Sequence, residues 1–318
     1  MEIENRKLKL LITGANGFVG SHVLEDLTED EHFEIGITLR TNSNLEKIQH
    51  ILKRNIKKFF VDKEGIETIV NTFKPDVIIH LAVFYRKKHS SNEIQEMVDT
   101  NISFPIKIID AMSRNNIRYF INTGTSTEFD VVSEGLNERG KISPSNLYSA
   151  TKVAFEDVLK YYCNNYDIHA VTLKLLPPYG PRDNPNKLIP YLINCSLNNK
   201  VAETSPGEQR WDFVYVKDVA RAYRLALDYI INSGISYDSF IIGGGEAHTI
   251  REIAEIIRGF DGTLKVNWGS IPYSEKETYY VRADITKARN ILKWWPKYDL
   301  RKGLLETYEY YKKEQSEQ

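Results

Sequence analysis

Tyr148 and Lys152 stand four residues apart in Asn146–Tyr166, a stretch whose apolar spacing predicts a helix, so their side chains share one face. A lysine ammonium beside a phenol favours the phenolate and lowers the phenol's pKa. Such a tyrosine suits general acid-base work, moving a proton on or off a carbonyl or alcohol oxygen. The same spacing recurs at Tyr298/Lys302 and Tyr308/Lys312, in a charged C-terminal stretch that reads as solvated surface. Tyr148 differs in what precedes it. Phe120-Ile121-Asn122-Thr123-Gly124-Thr125-Ser126-Thr127 reads as a strand running into a cluster of hydroxyls. At the carboxyl edge of a parallel sheet, where ligands bind, a Ser or Thr of this cluster can hydrogen-bond a substrate oxygen beside the tyrosine.

A second chemical signal lies at the N-terminal end. Leu8–Thr13 reads as a strand and Phe18–Thr28 as a helix, joined by a turn with Gly14, Gly17 and Gly20 in GxxGxxG spacing. Gly14 allows a tight turn, Gly17 a close approach of backbone to a pyrophosphate, and Gly20 close packing of helix on strand. The free amides and dipole of the helix start then face the phosphates. Gly243-Gly244-Gly245 looks similar but follows a short strand, and reads better as a turn before a helix at Thr249–Arg258.

These residues need a scaffold, and the rest of the pattern supplies it. Strand-like runs at 33–39, 59–61, 76–81, 117–123 and 170–176 alternate with helical stretches at 45–53, 64–73, 93–113 and 146–166. That alternation predicts a Rossmann-type α/β fold with a doubly wound parallel sheet. Pro177-Pro178-Tyr179-Gly180-Pro181 breaks the rhythm, and helices are expected again at 188–197 and 219–231. The expected division is a cofactor domain of residues 1–176, rejoined by 218–245, and a smaller C-terminal α/β substrate lobe of 177–217 and 246–318.

Bulk properties narrow the classes. A chain of 318 residues, 42% hydrophobic, has material for a large core. A net charge of -1 gives no global basic field for nucleic acid or an anionic membrane, and neither partner is expected. Cys163 and Cys195 make no disulfide framework and fit a reducing cytoplasm. The seven histidines show no metal-ligand spacing, so no metal is expected. No run of 18 apolar residues reads as a membrane span, the charged start Met1–Lys7 does not read as a signal peptide, and Lys312–Gln318 is expected to fray.

Taken in order, the motifs resemble the extended short-chain dehydrogenase/reductase family, in its nucleotide-sugar-modifying branch. The resemblance covers nearly the whole chain. It rests on Thr13–Gly20, Asp62, His80-Leu81-Ala82, Asn101, Thr125, Tyr148/Lys152, Tyr179-Gly180-Pro181, Asp212–Asp218, Asp284 and Leu292…Trp294-Trp295-Pro296. It implies Tyr148 as proton donor or acceptor at a sugar oxygen, Thr125 as its hydrogen-bonding partner, and Lys152 on the nicotinamide ribose. Gly14, Asn16, Gly17, Phe18, Val19 and Gly20 would hold the dinucleotide. Asp62 would contact the adenine with Val61 at its ring, Leu81 and Ala82 would line the cofactor, and Pro177 would lie at the nicotinamide end. Asn101 would tie the long helix to the active-site strand. The family's pairing of helices 93–113 and 146–166 across two copies implies a homodimer.

Three local features bear on the reaction. The second strand ends Thr38-Leu39-Arg40-Thr41-Asn42-Ser43-Asn44, without the acidic residue that accepts from a ribose 2′-OH. Arg40 is placed instead for a 2′-phosphate, so NADP(H) is expected over NAD(H). Dehydratases of the family carry Asp-Glu directly after the hydroxyl residue; here Ser126 and Thr127 stand there, with Glu128 one position late. Lys174, Pro177 and Trp211 replace the Arg, Asn and Arg of many epimerases and dehydratases, leaving Arg210 and Arg282 as candidate ligands of a substrate diphosphate. These departures resemble the branch of 4-keto-6-deoxyhexose reductases, with 4-epimerases as the alternative. A non-catalytic NADP-binding protein and a reductase of non-nucleotide ketones are further readings. The expectation is reduction of a nucleotide-activated 4-keto sugar in deoxysugar synthesis for cell-surface polysaccharide.

Overall fold

Leu10, Leu11 and Ile12 are all fully buried although successive strand residues point to opposite faces. Leu10 and Ile12 join one hydrophobic cluster and Leu11 another, so the strand is covered on both sides. This computed structural model describes residues 6–130, 135–274 and 277–316. The charged start at residues 1–5, read above as no signal peptide, and the last two residues lie outside them. Among the described residues no helix is long and apolar enough to cross a membrane, and no three His, Cys, Asp or Glu side chains group to hold a metal.

The main sheet has seven parallel strands in the spatial order Tyr237–Ile242, His169–Leu175, Tyr119–Thr125, Val77–His80, Leu8–Thr13, Phe33–Leu39 and Ile56–Phe60. Chain order reverses between Leu8–Thr13 and Val77–His80, the switch point where a ligand crevice forms outside the strand ends. Helices Phe18–Leu27 and Val216–Ser233 cover one face through Val23, Leu24, Leu27, Val219, Tyr223 and Leu227. Helices Ile66–Phe73, Phe104–Arg114 and Leu147–Asn165 cover the other through Ile69, Ile108, Met112, Phe155 and Leu159. A separate cluster gathers Tyr179, Leu192, Ile193, Tyr215, Ile253, Ile257, Leu304 and Tyr308 from the second half of the chain.

Several expectations are corrected. The stretch 45–53 forms only a single 3-10 turn, Glu46–Ile48. Tertiary bonds override its helical pattern: Lys47 donates to the Arg182 carbonyl at 2.6 Å, and Arg182 donates back to the Lys47 carbonyl at 3.1 Å. The long helix at 93–113 accommodates Pro105 because a π-helical turn, Asp99–Ser103, resets it and leaves the proline in the first turn of Phe104–Arg114. The helix expected at 219–231 runs from Val216 to Ser233. Helix Leu300–Ser316 stays wound through most of the stretch expected to fray. Tyr308 is not solvated surface: it is buried, and its hydroxyl donates to Asp261.

Trp294 closes the sheet-side core, fully buried with its indole N–H donating to the Asp218 carbonyl at 2.9 Å, while Trp295 is 46% exposed. Trp294→Ala is expected to lower unfolding free energy by about 3–5 kcal/mol, from lost burial plus a cavity. Trp295→Ala is expected to cost under about 1 kcal/mol. Urea unfolding of both variants, with equal losses, would contradict this assignment.

Candidate active site

The glycine turn takes its shape from contact rather than flexibility. Gly14 has φ +69°, and a Cβ there would stand 2.5 Å from the Ala82 amide nitrogen, so only glycine lets the turn lie against Leu81-Ala82. The Ala82 N–H donates to Thr13 Oγ1 at 3.2 Å, and Thr13 Oγ1 in turn meets His80 Nδ1 at 2.8 Å. A Cβ on Gly20 would collide with the Gly14 carbonyl, so Gly20 is what seats the helix on the turn. That helix begins at Phe18 on an exposed Gly17 cap, with no side-chain cap and no acid in its first turn. Its first amides are therefore open to an anion, as a cofactor pyrophosphate requires. Val19 packs down onto the core and Asn16 ties the turn to the next loop, donating to the Asn44 carbonyl at 3.1 Å.

At the outer end of the crevice, Arg40 is exposed, its guanidinium 3.9 Å from an equally exposed Glu96 carboxylate. Asp62 lies beside it, in the single helical turn Val61–Glu64. Its carboxylate accepts from the Thr41 N–H at 3.0 and 3.1 Å and from the Thr41 hydroxyl, bonds that lower its pKa.

Thr125 stands at the carboxyl end of Tyr119–Thr125, paired with Leu175, and Tyr148 and Lys152 stand one turn apart on helix Leu147–Asn165. Pro177 lies two residues after Leu175, its carbonyl accepting from the Val214 N–H at 3.2 Å. Thr125 lies close enough to the Tyr148 phenol to lower its pKa, and its Oγ1 meets Thr127 Oγ1 at 2.9 Å. Helix Leu147–Asn165 starts on Asn146, whose side chain accepts from the Ser149 N–H at 2.9 Å, and this cap fixes where Tyr148 and Lys152 project. Asn101 sets the helix from the side. It donates to Thr151 Oγ1 at 3.0 Å and clasps Phe84 through both the N–H, at 2.8 Å, and the carbonyl, at 3.0 Å. Asn101 thus ties the catalytic helix to the loop after the fourth strand, not to the active-site strand.

The electrostatics depart from the sequence expectation. Burial, Tyr85 and Glu128 raise the Tyr148 pKa well above the ordinary phenol value, and only nearby Thr125 opposes them. Lys152 is itself almost wholly buried, which lowers its pKa to about 8, against the pull of Glu128 and Glu156. The phenol therefore rests as a proton carrier rather than a phenolate. Thr123 and Tyr223 extend the hydroxyl cluster inward: Thr123 donates to the His80 carbonyl at 2.8 Å and meets the Tyr223 hydroxyl at 2.6 Å.

Sequence reasoning missed the charges beneath the site. Glu128, fully buried, turns inward from its late position, capping the Thr125 N–H and standing 3.1 Å from Lys174. Lys174 also meets Glu156 at 2.9 Å. Lys174 is thus an internal counter-ion and not a substrate ligand. Glu156, one turn beyond Lys152 on the same helix, was the available signal. Tyr85, packed edge-on against Tyr148, lay in no motif.

Arg210 opens strand Arg210–Asp212 of a small sheet, and Arg282 directly follows the neighbouring strand Tyr280–Val281. Arg210 is exposed and donates to the Ala247 carbonyl at 3.2 Å; Arg282 lies by Gly135 and interacts with the Asp284 and Asp212 carboxylates. Gly243-Gly244-Gly245 holds no phosphate loop. The Gly244 and Gly245 amides donate to buried Asp212 at 2.6 and 2.8 Å, so their donors are occupied.

The profile of the NAD dependent epimerase/dehydratase family matches residues 10–243. CDP-abequose synthase of Salmonella typhimurium is 29% identical, over 93% of this chain and 96% of that protein. The solved UDP-glucuronic acid 4-epimerase of Bacillus cereus, holding UDP-glucuronic acid and NAD, superposes with a TM-score of 0.85 at 26% identity, over 96% of this chain and 99% of that one. The Thermotoga maritima UDP-glucose 4-epimerase with UDP-glucose superposes with a TM-score of 0.86 at 24% identity, over 97% and 100%, a likeness of fold.

Lys152 is charged below about pH 8 and loses its proton as pH rises through that value. If the Lys152 ammonium holds the cofactor ribose and supports Tyr148 as the family resemblance implies, cofactor affinity and turnover should fall on an alkaline limb near this pKa. Lys152→Met should be weak and flat over the same range. A limb that persists in this variant would detach it from Lys152.

Proposed function

Since the chain belongs to the NAD dependent epimerase/dehydratase family, whose nucleotide-sugar-modifying enzymes use a nicotinamide cofactor, we propose that it reduces the C4 keto group of a nucleotide-activated 4-keto-6-deoxy sugar with NADPH. Bound NADPH supplies the hydride. The protein supplies the proton: Tyr148 donates to the C4 oxygen as the carbonyl becomes an alcohol, Thr125 orients that oxygen, and Lys152 stabilises the transient phenolate. Arg210 and Arg282 hold the diphosphate. Residues 1–176 with 218–245 carry the cofactor; 177–217 and 246–318 carry the nucleotide sugar.

The carrying observation is the setting of Tyr148, edge-on against Tyr85 and one turn from Lys152 on the same helix. A reduction needs a donor that is filled at the outset, and burial, Tyr85 and Glu128 keep this phenol filled. Exposed Arg40, on a strand end without a carboxylate of its own, supports NADPH, since an arginine–phosphate pair is charge-assisted and bidentate. Glu128, the acid beside Thr125, is engaged by the Thr125 N–H and by Lys174, which argues against its serving water elimination. The likeness to CDP-abequose synthase agrees with a deoxysugar product. A second reading, 4-epimerisation on retained NAD, draws on the NAD in the Bacillus cereus structure.

The purified enzyme should consume NADPH when given a dehydratase-made 4-keto-6-deoxy nucleotide sugar, with the product defined by NMR. Interconversion of UDP-sugar 4-epimers on bound NAD, without net oxidation of NADPH, would select the second reading. Tyr148→Phe should lose about 10²–10⁴-fold in kcat with cofactor affinity kept. Arg40→Ala should lower kcat/KM for NADPH by about 10–100-fold, the worth of one charged hydrogen-bonding partner, and leave NADH unaffected. Equal losses with both cofactors would remove Arg40 from the 2′-phosphate.

A further inference from the structure

Tyr85 lies in the segment after Val77–His80 and sets its ring edge-on to Tyr148, with centroids 4.9 Å apart and planes at 87°. It is 48% exposed. A lone exposed aromatic is ordinary on a protein surface, but this one is not loose. On one side Asn101, itself buried, clasps both backbone groups of Phe84 and reaches Thr151 on the catalytic helix. On the other, the Arg86 guanidinium stacks on the Phe84 ring at 4.7 Å and pairs with Glu93 at 2.8 Å. The segment is thus fixed to the helix that carries Tyr148 and Lys152. The Tyr85 hydroxyl has no hydrogen-bond partner among the described residues, so neither end of the side chain is occupied in holding the fold. A rigid, half-bare ring beside the group that touches the reacting oxygen offers a flat apolar wall with two side-chain torsions to order.

We propose that Tyr85 is a specificity-determining residue of the sugar subsite, its exposed ring packing on the C–H face of the hexose whose oxygen meets Tyr148. A pyranose presents its C–H bonds as a contiguous apolar patch. Covering that patch with an aromatic ring removes it from water without demanding a particular hydroxyl partner. The contact acts on the sugar and not on the nucleotide or the dinucleotide cofactor. It therefore separates a nucleotide sugar from the free nucleoside diphosphate that would otherwise compete through the same arginines. This rests on the nucleotide-sugar reading but not on whether reduction or epimerisation follows.

The test is calorimetric titration of the cofactor-loaded protein with UDP-, CDP-, dTDP- and GDP-glucose, each beside its sugar-free diphosphate. Whichever pair binds, Tyr85→Ala should weaken the sugar nucleotide by about tenfold or more, leave the free diphosphate within about twofold and keep the cofactor affinity, which reports an intact fold. Tyr85→Phe should restore the lost sugar-nucleotide affinity, because the ring carries the contact. An unchanged sugar-nucleotide affinity in Tyr85→Ala, a parallel loss for the free diphosphate, or no rescue by phenylalanine overturns the proposal. Binding of none of the four sugar nucleotides by the wild-type protein would instead overturn the nucleotide-sugar reading, and Tyr85's role with it.

Discussion

Two carboxylates and two ammonium groups are buried together around Tyr148, and their mutual neutrality is the constraint on which the candidate site depends. Glu128, Glu156, Lys152 and Lys174 are each at most 5% exposed. A single uncompensated charge at that depth would cost several kcal/mol, and removing one partner of a buried pair costs about 3–5 kcal/mol. The four balance because three separate elements deliver them to one place. Lys152 and Glu156 lie one turn apart on helix Leu147–Asn165, Lys174 comes from strand His169–Leu175, and Glu128 from the cap that ends Tyr119–Thr125. Burial raises the Glu128 pKa against the attraction of Lys174, whereas Lys174 and Lys160 together overcome burial at Glu156 and lower it. Without Lys152 the other three carry one excess negative charge, and its field reaches upward. It supports the charge on Lys152 and opposes ionisation of Tyr148, so one cluster acts on both groups that the proposed reaction would use.

The cofactor side is held by contact of a different kind. The turn at Gly14 rests directly on the Leu81-Ala82 backbone, and His80 fills the space behind it. Burial and nearby Lys152 depress the His80 pKa well below its usual value, so the ring is neutral, stacked 5.9 Å from Phe120 and hydrogen-bonded to Thr13. A neutral imidazole adds no third cation to the balanced cluster. The same histidine therefore packs against Phe104, Phe120 and Phe155 and leaves the charge balance around Lys152 undisturbed.

Much of this was legible from local chemistry. Gly14, Gly17 and Gly20 announce a close approach, and strand Leu8–Thr13 and helix Leu188–Leu197 fall where their spacing put them, because each signal acts within a few residues. What failed to show depends on distant partners. The 45–53 stretch has a helical period, yet its loop form is set by Arg182, over a hundred residues away. Tyr308 shares the Tyr148 spacing and a charged neighbourhood, but Asp261 and the second-lobe core bury it. Lys174 read as a lost arginine contact because its counter-ions, at positions 128 and 156, become neighbours only in the folded sheet.

The loop at Arg40 shows how the same folding shapes cofactor choice on the proposed reading. No acid ends the second strand, yet the fold brings one there: Asp62 meets the tip of that strand through Thr41. A carboxylate bound by one backbone N–H and one hydroxyl has much of its acceptor capacity filled, and its lowered pKa reflects bonds made to the anion. To accept from a ribose 2′-OH it would have to share or release these donors. Arg40 has no comparable commitment, since its contact with Glu96 is long and solvent-screened and contributes little by itself. The guanidinium is therefore the more available group at the crevice mouth. A dianionic 2′-phosphate would gain from it a charge-assisted pair, at the cost of standing near an Asp62 whose charge is partly answered by the Thr41 dipoles. The balance between those two terms, more than the glycine turn, decides which dinucleotide the crevice prefers.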